Sequence, residues 1–290
     1  MLSEELLKKI KKLRIITWHQ ATELAAGSYH SAFKGQGLEF EEVREYLPGD
    51  DVRNIDWNVS ARAGRPFIKI FREERELTVF FLVDVSASTC YGLNVLKKDL
   101  IAELCAVLGF SAVSNHDKIG VILFSDHIEK YVPPRKGRQA TTRILREILS
   151  HEPHYGKTDI RMALEFLGRV HRKKSIVFLI SDFLTGGYEK QLSMIGTRND
   201  LIGIMVHDEL EKDPPLDGLM PVRDIETGAI QFADFSDPLF RKGLVAGLHS
   251  QQEQTRQMFR RLGLDLISID TREDYLRKIL QLFRAREKRR

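Results

Sequence analysis

The sequence predicts an α/β protein with a doubly wound, mainly parallel β-sheet and a smaller loop-rich module near its N-terminus. From about residue 77 onward, short apolar runs rich in β-branched and aromatic residues alternate with segments of helical hydrophobic spacing. Continuous apolar runs are typical of strands buried on both faces, as in parallel sheets. Strands that alternate with helices are joined by right-handed crossovers and therefore lie parallel to one another.

Five segments are predicted to be the buried strands of this sheet. The first is the run LTVFFLV, and in chain order the five are Leu77–Val83, Ile119–Phe124, Ser175–Ile180, Leu201–Val206 and Leu264–Ile269. Helical spacing of apolar residues predicts helices between these strands and a last helix over Asp274–Arg290. Sheets of this kind bind ligands at the carboxyl ends of their strands, beside the point where the strand order reverses.

Three further segments are interpreted from local pattern. His127–Pro134 is predicted to be a short edge strand followed by a turn, and Pro221–Phe235 to be a surface hairpin turning at Thr227-Gly228. From Arg284 onward the chain is strongly basic, and we interpret this tail as a solvated helix end rather than an electrostatic docking site.

The composition fits a chain that folds around a large core. Of 290 residues, 42% are hydrophobic, and the formal net charge is only +4, which gives no reason to expect nucleic-acid binding. Two cysteines, Cys90 and Cys105, are too few for a disulfide framework or a four-thiolate zinc site. No apolar run is long enough for a transmembrane segment, and the N-terminus lacks a signal-peptide pattern. We therefore expect a cytoplasmic protein of unspecified oligomeric state.

The chain is predicted to divide into residues 1–72, an N-terminal helix with a loop-rich module, and residues 73–290, the α/β domain with its last helix. Apolar residues at helical spacing predict an amphipathic helix over Glu4–Leu13. Docking of this helix on its own chain is the favoured interpretation, and a peripheral contact with a membrane surface or a partner is the alternative.

The motif that carries chemistry is Asp84-Val85-Ser86-Ala87-Ser88, directly after the first predicted strand. A carboxylate followed by hydroxyls at alternate positions can turn three oxygen ligands toward one point. Oxygen ligands in octahedral geometry are what Mg²⁺ prefers. By itself the motif is weak, because serines after a strand are also common helix caps.

Two other segments strengthen a metal-site interpretation. Thr158 stands before a predicted helix, after a loop that contains Tyr155-Gly156-Lys157, and Asp182 follows the strand Ser175–Ile180. A capping threonine and a loop-capping carboxylate are the alternatives for these two residues. Asp159, at the first turn of the same helix, suits the helix dipole better than a metal.

These residues resemble the metal-ion-dependent adhesion site of von Willebrand factor A-type domains, over residues 77–270. That site joins a D-x-S-x-S motif to a threonine and an aspartate from two further loops. The resemblance implies a magnesium site, with manganese or calcium as alternatives, formed by Asp84, Ser86, Ser88, Thr158 and Asp182. It further implies that the hydroxyls contact the ion directly, whereas Asp84 and Asp182 act through water or hydroxyl neighbours.

A second resemblance spans nearly the whole chain. The segments Gly37–Phe40, Arg44–Trp57, Ala61-Arg62 and Arg72–Leu77 are similar to the bacterial family called domain of unknown function 58 (DUF58), which joins such a segment to a von Willebrand A-like domain. The resemblance implies partnership with MoxR-type AAA+ ATPases. Lys157 departs from the family pattern, which has glycine before the threonine, and an ammonium there would compete with the cation.

The segment Arg44–Trp57 and the residues after it have dense charge of both signs. We interpret them first as ion pairs and hydrogen bonds that brace a loop-rich module. The alternative is a partner-binding face, with Arg53 and Trp57 as its anchors.

The function expected from these features is that of a non-enzymatic adaptor. A metal at the five-residue set would bind an acidic group of a protein partner. Two alternatives remain: a metal-independent interaction through the Arg44–Trp57 segment, and a magnesium-dependent phosphohydrolase with Asp84 as nucleophile. The hydrolase is disfavoured because such enzymes need a second carboxylate two residues after the nucleophile, where this chain has Ser86, and because no well-placed lysine is evident.

Overall fold

The computed structural model describes most of the chain. The described residues are 39–72, 76–90, 96–152, 157–208, 211, 218–223 and 229–289, with single positions between 8 and 33. Several predicted features lie wholly or partly outside them: Gly37-Leu38, residues 73–75, Tyr155-Gly156, the Thr227-Gly228 turn and much of the Glu4–Leu13 helix.

The chain forms two compact units, Lys34–Leu77 and a larger one that joins Met1–Phe33 to Thr78–Arg290. The division expected from the sequence lay between residues 72 and 73 and kept the first 33 residues in the small module. Aromatic packing within the larger unit accounts for the difference. Phe33 contacts Phe283 and Phe178 edge to face, with ring centroids 5.1 and 6.0 Å apart.

The smaller unit is built on an antiparallel strand pair. Its strands are β1 (Glu39–Glu45) and β2 (Phe67–Arg72). Between them lies the short helix α1 (Trp57–Ala63), which begins where the Asp56 side chain accepts hydrogen bonds from the backbone N–H groups of Asn58 and Val59.

The larger unit contains a six-stranded sheet whose order is β10-β7-β6-β3-β4-β5. The strands are β3 (Thr78–Asp84), β4 (Lys118–Phe124), β5 (Ile128–Arg135), β6 (Ile176–Ser181), β7 (Asp200–His207) and β10 (Asp265–Asp270). All neighbours pair in parallel except β4 and β5, which are antiparallel. The predicted mainly parallel sheet is confirmed, each predicted buried strand lies within one residue of an observed one, and the His127–Pro134 segment is the antiparallel edge strand.

Helices flank this sheet, and both of its faces are apolar. The helices are α2 (Lys97–Ser114), α3 (Arg138–Ser150), α4 (Ile160–Val170), α5 (Glu189–Arg198), α6 (Pro238–Arg261) and α7 (Tyr275–Arg289). Alternate residues of β3 point to opposite faces. Phe80 and Leu82 join the core beneath α4, α5 and α6, whereas the Phe81 ring stacks on Phe178 at 5.7 Å. The arrangement is that of a Rossmann-like α/β fold.

The predicted hairpin near residue 221 is present. Strands β8 (Leu219–Arg223) and β9 (Ile230–Asp234) pair antiparallel. Among the described residues, no helix has both the length and the apolar character needed to cross a membrane.

The interpretation of the basic tail as a solvated end is wrong for Arg286. This side chain is only 8% exposed, and its guanidinium pairs with Asp200 and with Asp265, the latter at 2.7 Å. These aspartates begin β7 and β10, so the last helix is tied to the amino ends of two strands. The density of basic residues in the sequence did not reveal the burial of Arg286, because it does not show which arginine of the helix is buried and which is exposed.

Gly203 provides a test of the packing on β7. A Cβ atom at this position would lie 2.6 Å from both Leu266 Cδ1 and Phe259 Cε1. We expect Gly203→Ala to destabilise the protein by about 1–3 kcal/mol through overpacking, measured by urea unfolding. Gly243→Ala on α6 is the control, because its added methyl group meets nothing within 4 Å and should stabilise by up to about 1 kcal/mol. Equal effects of the two substitutions would contradict the packing described here.

Candidate functional site

The candidate site lies at the carboxyl ends of β3 and β6. These strands are neighbours in the sheet, and the chain order reverses here, because β3 has β4 on one side and β6 on the other. Loops diverge from such a point and leave a crevice between them. The D-x-S-x-S motif follows β3 and Asp182 follows β6, so the fold brings both to the place where ligands bind in sheets of this kind.

Asp84 is the buried centre of the site. Its side chain has no solvent exposure, and its two oxygens accept hydrogen bonds from Ser86 N at 3.0 Å and from Ser181 Oγ at 2.6 Å. Burial, and then the charge of Asp182, raise the pKa of Asp84 to about 6, although the bonds from Ser181 and Ser86 oppose the rise. The site therefore contains a buried anion that a nearby cation would stabilise.

The two hydroxyls of the motif are close together. Ser86 Oγ and Ser88 Oγ lie 3.1 Å apart, and the bond from Thr89 Oγ1 to the Ser86 carbonyl, 2.7 Å, holds the short turn that carries them. Adjacent ligands of an octahedral ion with bonds of about 2.1 Å are separated by about 3.0 Å. The spacing of these hydroxyls thus fits two neighbouring positions around Mg²⁺.

Asp182 is also buried and faces the site from β6. Its Oδ1 accepts a hydrogen bond from Leu184 N at 3.2 Å. The next residue, Phe183, has φ of 57°, and its N–H donates to Ser181 Oγ at 3.0 Å. Ser181 therefore links Asp84 to the loop that carries Asp182, a role that the sequence analysis did not assign.

Hydrogen bonds to the backbone fix the position of the loop that contains Thr158. The Thr158 carbonyl accepts a hydrogen bond from Thr185 Oγ1 at 3.0 Å, and the next N–H, of Asp159, donates to the Ser125 carbonyl at 2.8 Å. Ser125 follows β4 and Thr185 follows β6, so this loop lies at the same edge of the sheet. Asp159 is the N-cap of α4 and accepts from Arg161 N. The capping alternative for Thr158 is therefore wrong, and the interpretation of Asp159 as a helix-end residue is confirmed.

Lys97 is a functional candidate that the sequence analysis missed. Only 2% of its side chain is exposed, and its ammonium lies 3.4 Å from Asp182 Oδ2 and forms an ion pair with Glu211. Burial lowers the pKa of Lys97, but Asp182 and Glu211 outweigh it and raise the pKa above its usual value. A signal was present in the sequence: Lys97 continues the apolar stripe of α2, four residues before Ile101 and seven before Leu104.

Lys157, the lysine expected from the sequence to compete with the cation, is exposed to solvent. The ammonium that lies beside Asp182 belongs to Lys97. Among the described His, Cys, Asp and Glu residues, no three form a group that could hold a metal ion. The candidate set has two carboxylates, so hydroxyls and Lys97 make up the rest of its chemistry.

The second candidate face lies in the smaller unit. Trp57 is 72% exposed at the start of α1, and Arg53 is also exposed. The predicted internal bracing is present around them: Arg44 makes a two-pronged pair with Asp50 at 2.9 and 2.7 Å, and Asp56 lies 3.5 Å from Lys69. The bracing leaves Trp57 and Arg53 directed to solvent.

Two mycobacterial relatives of this chain are described as uncharacterized proteins. An uncharacterized protein of Mycobacterium tuberculosis and one of Mycobacterium bovis are each 28% identical to it, over 98% of this chain and 90% of theirs. Among solved structures, the conserved hypothetical protein BatB from Bacteroides thetaiotaomicron is similar with a TM-score of 0.44 and 14% identity, over 73% of this chain and 99% of that one.

A family model assigns the chain to a group. The model described as "Protein of unknown function DUF58" matches residues 42–254, which is well over half of the sequence and includes α1, the candidate site and most of α6. The expected resemblance to this family is confirmed. The chain belongs to the DUF58 family.

Proposed function

We propose that the larger unit is a von Willebrand factor A-like domain that binds an acidic group of a protein partner through a divalent metal at the carboxyl ends of β3 and β6. The observation that carries this proposal is the buried Asp84 carboxylate beside two hydroxyls spaced 3.1 Å apart. Such a set of oxygens needs a cation, and its spacing suits Mg²⁺, with Mn²⁺ and Ca²⁺ as the alternatives.

Each residue of the set has a distinct task in this proposal. Ser86 and Ser88 would hold the metal, with Thr158 from the neighbouring loop, and Asp84 and Asp182 would supply the negative charge that retains it. Ser181 fixes the orientation of Asp84 through its 2.6 Å hydrogen bond. When bound, the metal supplies an exposed positive charge that attracts a carboxylate. Because hydroxyl ligands are neutral, they leave more of that charge available than carboxylate ligands would.

Lys97 sets the charge balance of the site. Its ammonium neutralises part of the Asp182 charge and is itself held by Glu211. With an ammonium beside Asp182, the site retains a metal less strongly than its carboxylates would alone. We therefore propose that Lys97 weakens metal binding, so that the partner carboxylate contributes appreciably to the affinity of the complex.

The first partner to test is a MoxR-type AAA+ ATPase, as the resemblance implies, with an acidic side chain as the metal-bound group. A partner could instead bind the face around Trp57 without any metal, and the exposure of this large aromatic beside an arginine favours that second candidate. Variants of the two faces distinguish these candidates.

Phosphoryl transfer with Asp84 as nucleophile has less support. A lysine does lie near the site, contrary to the expectation from the sequence, but the Lys97 ammonium is held by Asp182 and Glu211. Asp84 is fully buried, and both of its oxygens accept hydrogen bonds. Ser86 also stands where an acid/base carboxylate would be needed. These features support binding rather than catalysis.

Metal binding is tested by removing the two hydroxyls. We expect Mg²⁺ to raise the unfolding free energy of the wild-type protein relative to chelator, by about 2.7 kcal/mol at roughly a hundredfold excess over its dissociation constant. Ser86→Ala with Ser88→Ala should abolish this increment in thermal unfolding. The control is Ser193→Ala with Ser250→Ala, both on exposed helix positions. An unchanged increment in the Ser86/Ser88 variant would contradict the proposed ligands.

The role of Lys97 is tested by Lys97→Met. Without metal this variant should lose about 3–5 kcal/mol of stability, because Asp182 and Glu211 are left buried without their cation. Its affinity for Mg²⁺ should rise about tenfold, equivalent to 1.4 kcal/mol, in calorimetric titration. Lys190→Met, at an exposed position of α5, should change neither quantity. Weaker metal binding in Lys97→Met would show that Lys97 supports the metal site instead of opposing it.

The two binding faces are separated with a purified MoxR-type ATPase. We expect Asp84→Ala to abolish binding, and chelator to do the same for the wild-type protein. Trp57→Ala with Arg53→Ala should leave binding intact and change stability by no more than about 0.5 kcal/mol, because both side chains are exposed. The reverse pattern, measured by biolayer interferometry, would favour the Trp57 face.

A further inference from the structure

Some backbone groups on the outer edge of β10 have no partner among the described residues. Among the described strands, β10 pairs only with β7. Thr271 N donates to the carbonyl of the β7 residue His207 at 3.1 Å. The backbone N–H and C=O groups of odd-numbered residues in this segment therefore point toward β7. Backbone groups of successive strand residues point to opposite sides. The backbone groups of even-numbered residues therefore point away from β7. In agreement with this, the Ser268 carbonyl accepts a hydrogen bond from Lys278 Nζ at 3.3 Å.

Only the middle of this edge is left open. Leu264 N donates to the Phe259 carbonyl, and Asp270 N donates to Glu273, so both ends of the edge are occupied. The N–H and C=O of Leu266 and the N–H of Ser268 make no hydrogen bond with any described residue. Unpaired strand groups of this kind are a template for pairing with another chain.

A groove runs beside this open edge. Its volume is about 370 Å³, and α6 and the end of α7 form its walls. We call it the β10 groove. The residues that matter for recognition are Leu266 and Ser268 on the strand, Arg256 and Arg260 on α6, and Arg289 on α7.

The β10 groove is strongly basic. Three arginines line it, and Asp265 is its lining carboxylate. Asp265 is shared by Arg286 at 2.7 Å and Arg289 at 2.8 Å, and Arg256 Nη1 lies 3.6 Å from Glu253, so among the described residues Arg260 is the lining arginine without an ion pair. Arg256 Nη2 lies 3.4 Å from Ser268 Oγ, so this guanidinium contacts a side chain of β10. The excess of arginines over carboxylates in the lining favours an anionic occupant.

We propose that the β10 groove binds an extended acidic segment of a partner protein, which adds a strand to the edge of the sheet. The backbone of the segment pairs with Leu266 and Ser268, and its carboxylates contact Arg256, Arg260 and Arg289. Strand addition supplies main-chain hydrogen bonds, and alternate side chains supply the specificity. This surface is at the opposite edge of the sheet from β5 and uses none of the residues of the candidate metal site, so it stands independently of the function proposed above.

The test uses the full chain and a fluorescein-labelled synthetic peptide, Thr-Glu-Val-Glu-Val-Glu-Thr, in the presence of chelator. Fluorescence anisotropy should show binding of this peptide and none of a version with lysine at each glutamate. Arg256→Glu with Arg260→Glu should weaken binding at least about tenfold. Lys190→Glu with Arg198→Glu, a matched charge reversal on exposed positions of α5, should leave it unchanged.

Strand pairing is tested separately from charge. N-methylation of the central glutamate and of the valine on each side of it keeps the carboxylates and removes backbone donors, and it should weaken binding at least about tenfold, since several main-chain bonds are lost. Peptide addition should also slow amide hydrogen exchange at residues 264–269. If the peptide does not bind, or if inorganic phosphate displaces it while N-methylation has no effect, the proposal fails. The second result would indicate a simple anion site.

Discussion

The candidate site depends on one hydrogen bond, between Ser181 Oγ at the end of β6 and Asp84 Oδ2 at the end of β3. It connects two strands that are neighbours in space but 97 residues apart in the chain. Because both groups are fully buried, the loss of either partner leaves a polar atom without water to replace it. This bond holds the D-x-S-x-S turn close to the Asp182 loop and thereby fixes the shape of the crevice at the switch point.

The electrostatics of the site follow from burial. Asp84 and Asp182 are two carboxylates close enough for the charge of one to raise the pKa of the other, and each would pay a desolvation cost in the absence of a cation. Lys97 supplies a cation beside Asp182 and also forms an ion pair with Glu211. Asp84 is left with neutral donors, the hydroxyl of Ser181 and the N–H of Ser86. That asymmetry is why we propose that an external cation binds on the Asp84 side of the crevice.

The larger unit therefore offers two surfaces of opposite character. The crevice above β3 and β6 is acidic, whereas the β10 groove is lined by arginines and by a strand edge with open hydrogen-bonding groups. Both arise from the same mainly parallel sheet: its interior strands place their carboxyl ends side by side, and its terminal strand β10 pairs with β7 alone among the described strands. We propose that the first surface binds a carboxylate through a metal and that the second binds an acidic segment through strand addition.

The amino-acid sequence by itself determined the strands of the sheet, because fully apolar β-branched runs have few alternatives to a buried strand. It also identified Asp84, Ser86 and Ser88 as one group, because they are close in the chain. It did not determine which lysine would enter the site: Lys157 adjoins the threonine in sequence but is exposed, whereas Lys97 is buried against Asp182. Nor did it reveal Arg286 or the open edge of β10. Burial of a charged side chain and the pairing of a strand edge depend on residues distant in the chain, and only tertiary packing decides which of several identical side chains loses its water.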